Sequence, residues 1–159
     1  MKTLDSNDSA LGPILSFLLL RMFLGFHLFL SGITKWKSRY PQEDDEGNSY
    51  FYSFSQKEAT MKGVADTMID FSGLPAWMVN IYASLLPYAF MIAGLAVLVG
   101  AFPRIALALG GVIYFSLAFG LLLLPDDQAI TNLTLYIAMS AGALALVKYN
   151  RFSVFRGDL

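Results

Sequence analysis

Four stretches of this chain, 11–34, 76–100, 103–124 and 129–148, are each long and almost free of charge. A helix needs about 20 mostly apolar residues to cross a bilayer, and a spanning segment must satisfy its own backbone polar groups. Four such stretches in 159 residues leave little chain for anything else. Hydrophobic residues make up 56% of the sequence and charged residues 14%, against about 45–50% and 25% in a soluble domain. A water-soluble core of this size would have no polar surface to cover it. The expected fold class is therefore all-α: one integral membrane domain, a four-helix bundle over 1–159, with a long extramembrane loop at 35–75 between the first two spans.

Local punctuation agrees with those boundaries. Pro13, Pro75 and Pro103 fall in or just before first helical turns, where a missing N–H costs nothing. Pro125-Asp126-Asp127 is expected to turn the chain between spans three and four, and Pro87 to kink span two. Trp36, Tyr40, Trp77 and Tyr149 stand near span ends, where aromatic belts form. The first span is expected to be retained: Asp5 and Asp8 precede it where a signal peptide carries positive charge, and Arg21 interrupts its apolar run. Within the loop an acidic run, Glu43 to Glu46, is followed by an aromatic cluster of Tyr50, Phe51, Tyr52 and Phe54. Ser55-Gln56-Lys57-Glu58 reads as a capping box opening a short helix. Met61, Val64, Ala65 and Met68 give that helix an apolar face, and Gly73 stops it. Such a helix either lies on the membrane or bundle end, or serves as a docking element or lid.

Composition removes several chemistries. A net charge of −1 offers no field for nucleic acid. With no cysteine and one histidine, the chain has no thiol catalysis and no Cys-ligated metal, and a multi-histidine metal site would need a partner chain. Five basic residues fall on each side of the expected bundle: Lys2, Arg104, Lys148, Arg151 and Arg156 against Lys35, Lys37, Arg39, Lys57 and Lys62. The positive-inside count is thus a tie. The basic tail directly after span four favours cytoplasmic termini.

Arg21 is the residue that most invites explanation. A charged side chain near the middle of a span costs about 2.5–3.5 kcal/mol even on insertion scales, and the four spans contain no Asp or Glu in their apolar runs. Arg21 either reaches the headgroups, bonds carbonyls opened by Pro87, or binds an electron-rich ligand or a partner's carboxylate. Counting residues along antiparallel spans that run flush places it level with about 88–90 in span two. On that count Tyr88, Tyr114, Tyr136 and Ser140 share its depth and form the candidate ligand or partner site. Polar residues line single faces, Asn80-Ser84-Tyr88 and Asn132-Tyr136-Ser140, and a second stripe runs His27-Ser31-Lys35. His27, Lys35 and Arg104 are secondary candidates. Gly25, Gly32, Gly110, Gly111 and the small-residue run from Ser140 to Ala145 are expected to pack helices closely.

The pattern Arg21-x3-Gly25-x3-Phe29-x2-Gly32-x2-Lys35, then Gly94-Leu95-x4-Gly100-x3-Arg104 entering an Ala-rich span, resembles the DoxX/DoxD family of small four-helix bacterial membrane proteins. The resemblance covers roughly 11–148. It implies a multi-pass protein of the bacterial inner membrane, and a place beside quinone-linked redox systems such as the small subunit of thiosulfate:quinone oxidoreductase. The chain differs from the family pattern at one point: Ala89 and Phe90 stand where a glutamate is usual.

Together these readings lead to an accessory, non-catalytic subunit of a membrane redox complex. It would touch quinone or lipid, hold no prosthetic group, and have other membrane subunits as partners. The alternatives are a structural or assembly subunit of another membrane complex, or a small solute-transport component. Reporter domains fused to the two ends should be exposed on the same side of the membrane; ends found on opposite sides would exclude an even number of spans.

Overall fold

The structure, a computed structural model, describes residues 8–43, 47, 49–122 and 127–150. Pro125 and Asp126 of the expected turn and most of the acidic run lie outside them, while Asp127 is the first residue of a helix. Five helices dominate: α1 (Asp8–Thr34), α2 (Phe54–Ser72), α3 (Ala76–Val99), α4 (Pro103–Leu122) and α5 (Asp127–Ala145), with a 3-10 turn at Val147–Tyr149. Among the described residues three stretches are long and apolar enough to cross a membrane, namely Leu11–Trp36, Ala76–Val99 and Pro103–Gly120. A fourth apolar helix, Ile130–Ala145, is shorter. The helices pack α1 on α3, α3 on α4, α4 on α5, and α5 back on α1.

The connection between α1 and α2 is more ordered than a loop. Strands β1 (Lys37–Glu43) and β2 (Ser49–Tyr52) pair antiparallel, with Lys37 opposite Tyr52 and Glu43 opposite Ser49. Gly47 lies between them at φ 81, a conformation that glycine adopts without a Cβ penalty. The helix that follows opens two residues earlier than the Ser55 reading: Ser53 is its cap and accepts from the Gln56 N–H at 3.1 Å. Ser53-x-x-Gln56 has the same spacing as a capping box. Gly73, at φ 64, ends α2. The buried face of α2 is Met61, Ala65 and Met68, which pack on Val79 and Ala83 of α3.

Glycine governs the contact between α1 and α3. A Cβ built on Gly94 would strike the backbone N of Phe29 and lie 2.8 Å from its Cα. A Cβ on Gly25 would sit 2.7 Å from Leu98 Cγ, and one on Gly32 would lie 3.0 Å from Pro87 O. The backbones therefore touch, as small residues allow in apolar bundles. These contacts also set the register. Gly25 faces Leu98, Phe29 faces Gly94, and Gly32 faces Pro87 and Met91, so α1 and α3 run antiparallel but out of step. The first half of α3, about three turns, continues past the end of α1, and α2 packs there. α3 runs through Pro87 as one helix. It ends at Gly100 (φ 75), and the chain turns through Phe102 (φ 45) into Pro103, the first residue of α4.

Gly94→Ala should lower the unfolding free energy in detergent by about 1–3 kcal/mol, the usual range for overpacking. Gly63→Ala, where a Cβ meets nothing within 4 Å on the surface of α2, should be neutral or stabilising by about 0.5–1 kcal/mol. Thermal unfolding of the two variants side by side measures the difference.

Candidate functional site

The out-of-step register moves Arg21 to the end of α3. Its side chain is 4% exposed. Nε donates to Val97 O at 2.8 Å and Nη2 to Leu98 O at 2.8 Å, while Nη1 donates to Asn150 Oδ1 at 3.3 Å. The last carbonyls of a helix have no intrahelical donor, and the helix C-terminus carries partial negative charge. Arg21 caps α3 from a neighbouring helix. A Cβ on Gly100 would fall on the guanidinium, so the glycine that ends α3 also makes room for the cap. The expected level of 88–90 is wrong by about two turns, because the count assumed helices that run flush. The carbonyls that Arg21 meets are those of the helix end, ten residues past Pro87.

The expected five-residue site accordingly separates. Tyr114, Tyr136 and Ser140 stay together, His27 joins them, and Arg21 and Tyr88 lie elsewhere. His27 Nδ1 and Tyr114 Oη are 2.7 Å apart. The His27 and Tyr136 rings stack with centroids 4.0 Å apart, and Tyr114 stacks on Tyr136 at 5.3 Å. Phe23 and Phe90 extend the aromatic group on either side. Ser140, one turn along α5, donates to Tyr136 O at 2.9 Å and packs its Cβ against Gly111. Gly110 and Gly111 keep α4 close enough to α1 and α5 for this cluster to form.

The protonation pattern follows from burial. Tyr114 is 1% exposed, and its hydroxyl has one polar neighbour, the His27 Nδ1. A buried O–H needs an acceptor. Tyr114 therefore donates to Nδ1, and the neutral imidazole carries its proton on Nε2. That N–H meets no acceptor among the described residues, and neither does the Tyr136 hydroxyl. His27 and Tyr136 are both only partly buried. The cluster thus presents two unused donors on a stacked aromatic pair.

Tyr88 belongs to a different group. Its hydroxyl accepts from Lys57 Nζ at 3.4 Å, and its ring meets Trp36 edge-on at 5.6 Å. In the sequence Lys57 reads as part of a capping box, although it stands four residues before Met61, on the apolar face of α2 itself, and a lysine there is a visible signal. Lys35 lies in the turn after α1, and Arg104 is exposed in the first turn of α4, both outside the His27, Tyr114 and Tyr136 group. A second feature was missed as well. Tyr82 and Ser116 hydroxyls are 3.1 Å apart, beside an apolar cavity of about 380 Å³ between α2, α3 and α4 whose walls include Met68, Met78, Phe115 and Phe119.

Comparison with protein-family models, with curated proteins and with solved structures finds no match. The geometry is therefore the ground on which a function is argued.

Replacing Arg21 by methionine should destabilise the isolated protein, because it leaves two helix-end carbonyls without donors. Each hydrogen bond from a charged donor is worth about 1.5–3 kcal/mol. Arg21→Lys should recover only part, since an ammonium lacks the planar fork that reaches two carbonyls at once. A melting temperature unchanged in Arg21→Met would show that the cap is not structural.

Proposed function

We infer that this chain is a four-span subunit of the bacterial inner membrane, with cytoplasmic termini, that holds a carbonyl of a membrane-soluble quinone at His27 and Tyr136. Ile130–Ala145 serves as the fourth span, and the segment from β1 to α2 lies outside the bilayer. The observation that carries the reading is the pair of unused donors. On a lipid-facing surface an N–H and an O–H without acceptors cost free energy, and a quinone carbonyl can accept from either. The stacked imidazole and phenol also give a quinone ring a flat aromatic face. The resemblance to DoxX/DoxD proteins supports the same ligand class independently.

The chain supplies no electron carrier in this reading. Its part is to bind and orient the headgroup: Tyr114 holds the imidazole in the Nε2–H tautomer, and Nε2–H and Tyr136 Oη–H donate to the carbonyl. Donors fixed before the ligand arrives favour the more negative, reduced oxygen over the neutral carbonyl. Such a protein works as an accessory subunit beside partners that carry the redox centres. Arg21, capped within its own chain, no longer argues for a partner carboxylate, so the inference rests on His27.

Titration of the purified protein with decylubiquinone tests this directly. His27→Phe keeps an aromatic ring but removes the donor and should weaken binding roughly three- to tenfold, the value of one hydrogen bond. Tyr114→Phe should weaken it less, by freeing the tautomer. Equal affinity in wild type and His27→Phe would sink the proposal.

A further inference from the structure

Lys57 is a buried cation, 8% exposed, in a group that holds more donors than acceptors. Its ammonium lies 5.6 Å from the Trp36 ring centroid and 5.0 Å from that of Tyr88. Its one hydrogen-bond partner is the Tyr88 hydroxyl, and it makes no ion pair among the described residues. The Trp36 indole N–H beside it is buried and has no acceptor either. Ring faces compensate a buried ammonium only in part, whereas an anion accepts charge-assisted hydrogen bonds from it directly.

An open cleft of about 210 Å³ between α2 and α3 reaches this lysine. Lys62, one turn beyond, brings a second positive charge to its wall, and Asn80 on α3 brings an amide with no protein partner. Ser84 also lines the cleft but donates to Ile81 O, and Glu58 contributes one carboxylate. The place in the fold is specific. Trp36 ends the apolar run of α1, and the polar hairpin begins at Lys37, so the cleft opens where apolar helix gives way to charged chain. Phosphate groups of lipids lie at that boundary. We propose that the α2–α3 cleft binds a phosphate group, that of an anionic phospholipid headgroup, with Lys57 and Lys62 as its cationic contacts and Asn80 as a neutral donor. The site is separate from the His27 cluster, and its test does not depend on quinone binding.

The two tryptophans are Trp36 and Trp77, so a Trp77→Phe background makes Trp36, within the Lys57 group, the sole reporter. In neutral detergent, dihexanoyl phosphatidylglycerol should change Trp36 fluorescence saturably, and dihexanoylglycerol, which lacks the phosphate, should not. Lys57→Met should raise the half-saturating concentration about tenfold or more, and Lys62→Gln several-fold. Glu58→Gln should lower it, because it removes a like charge from the wall. If Lys57→Met does not fold, the exposed positions Lys62 and Glu58 carry the test with opposite signs. Inorganic phosphate that saturates at the same concentration as the lipid would place a free phosphate in the cleft, and the site would still stand. An identical response to the lipid and to dihexanoylglycerol would overturn it, as would half-saturation unmoved by both Lys62→Gln and Glu58→Gln.

Discussion

The backbone contact between α1 and α3 is the constraint on which the other helices depend. Glycines 25, 32 and 94 remove the side chains that would hold the two helices apart, and removing them fixes the register as well as the distance. Ridges elsewhere on the helices adjust by rotamer changes, but a backbone seated on a backbone cannot slide. The out-of-step pairing follows from that seat. It sends Arg21 to the C-terminal end of α3, turns His27 toward α4 and α5, and leaves the first half of α3 for α2 to cover with Met61, Ala65 and Met68.

Polar side chains then find three kinds of company. Arg21 meets helix-end carbonyls that would otherwise lack donors. Tyr114 spends its proton on His27, and Tyr82 shares a hydrogen bond with Ser116. The remainder, His27 Nε2, the Tyr136 hydroxyl and the Trp36 indole N–H, offer protons that no oxygen of the described residues accepts, and the Lys57 ammonium meets only the Tyr88 hydroxyl. Fully satisfied polar networks hold a fold together, and partly satisfied ones mark places where something else is expected. The surplus here is of donors alone, and this points to ligands that carry oxygen acceptors.

Three of the four expected spans were legible because span length is a property of composition, and the bilayer sets it. The α2 face was legible because Met61, Ala65 and Met68 repeat at helical spacing, and Gly73 was legible as its stop. Register was not. The close-packing glycines stood out in the sequence, yet nothing in a single chain says which glycine of one helix meets which residue of another. The depth count filled that gap with flush helices, and Arg21 was placed two turns from its partners. His27 was noticed but set among stripes along its own helix, whereas its partners come from α4 and α5. The hairpin was hidden for another reason: β1 carries a proline and three charged residues, a composition that reads as loop, and Gly47 was its one turn signal.

The cap on α3 also has a history in the order of synthesis. Arg21 leaves the ribosome well before the carbonyls that receive it, since Val97 lies 76 residues later in the chain. At typical elongation rates of about 5–20 residues per second, that is a delay of roughly 4–15 s. Through this interval α1 carries a charge near its centre with no helix end to bond, at the insertion cost of about 2.5–3.5 kcal/mol for such a residue. The apolar remainder of the span offsets that cost until α3 arrives to supply carbonyls. The cap closes only once the end of α3 is made, and a single guanidinium then ties the two helices together.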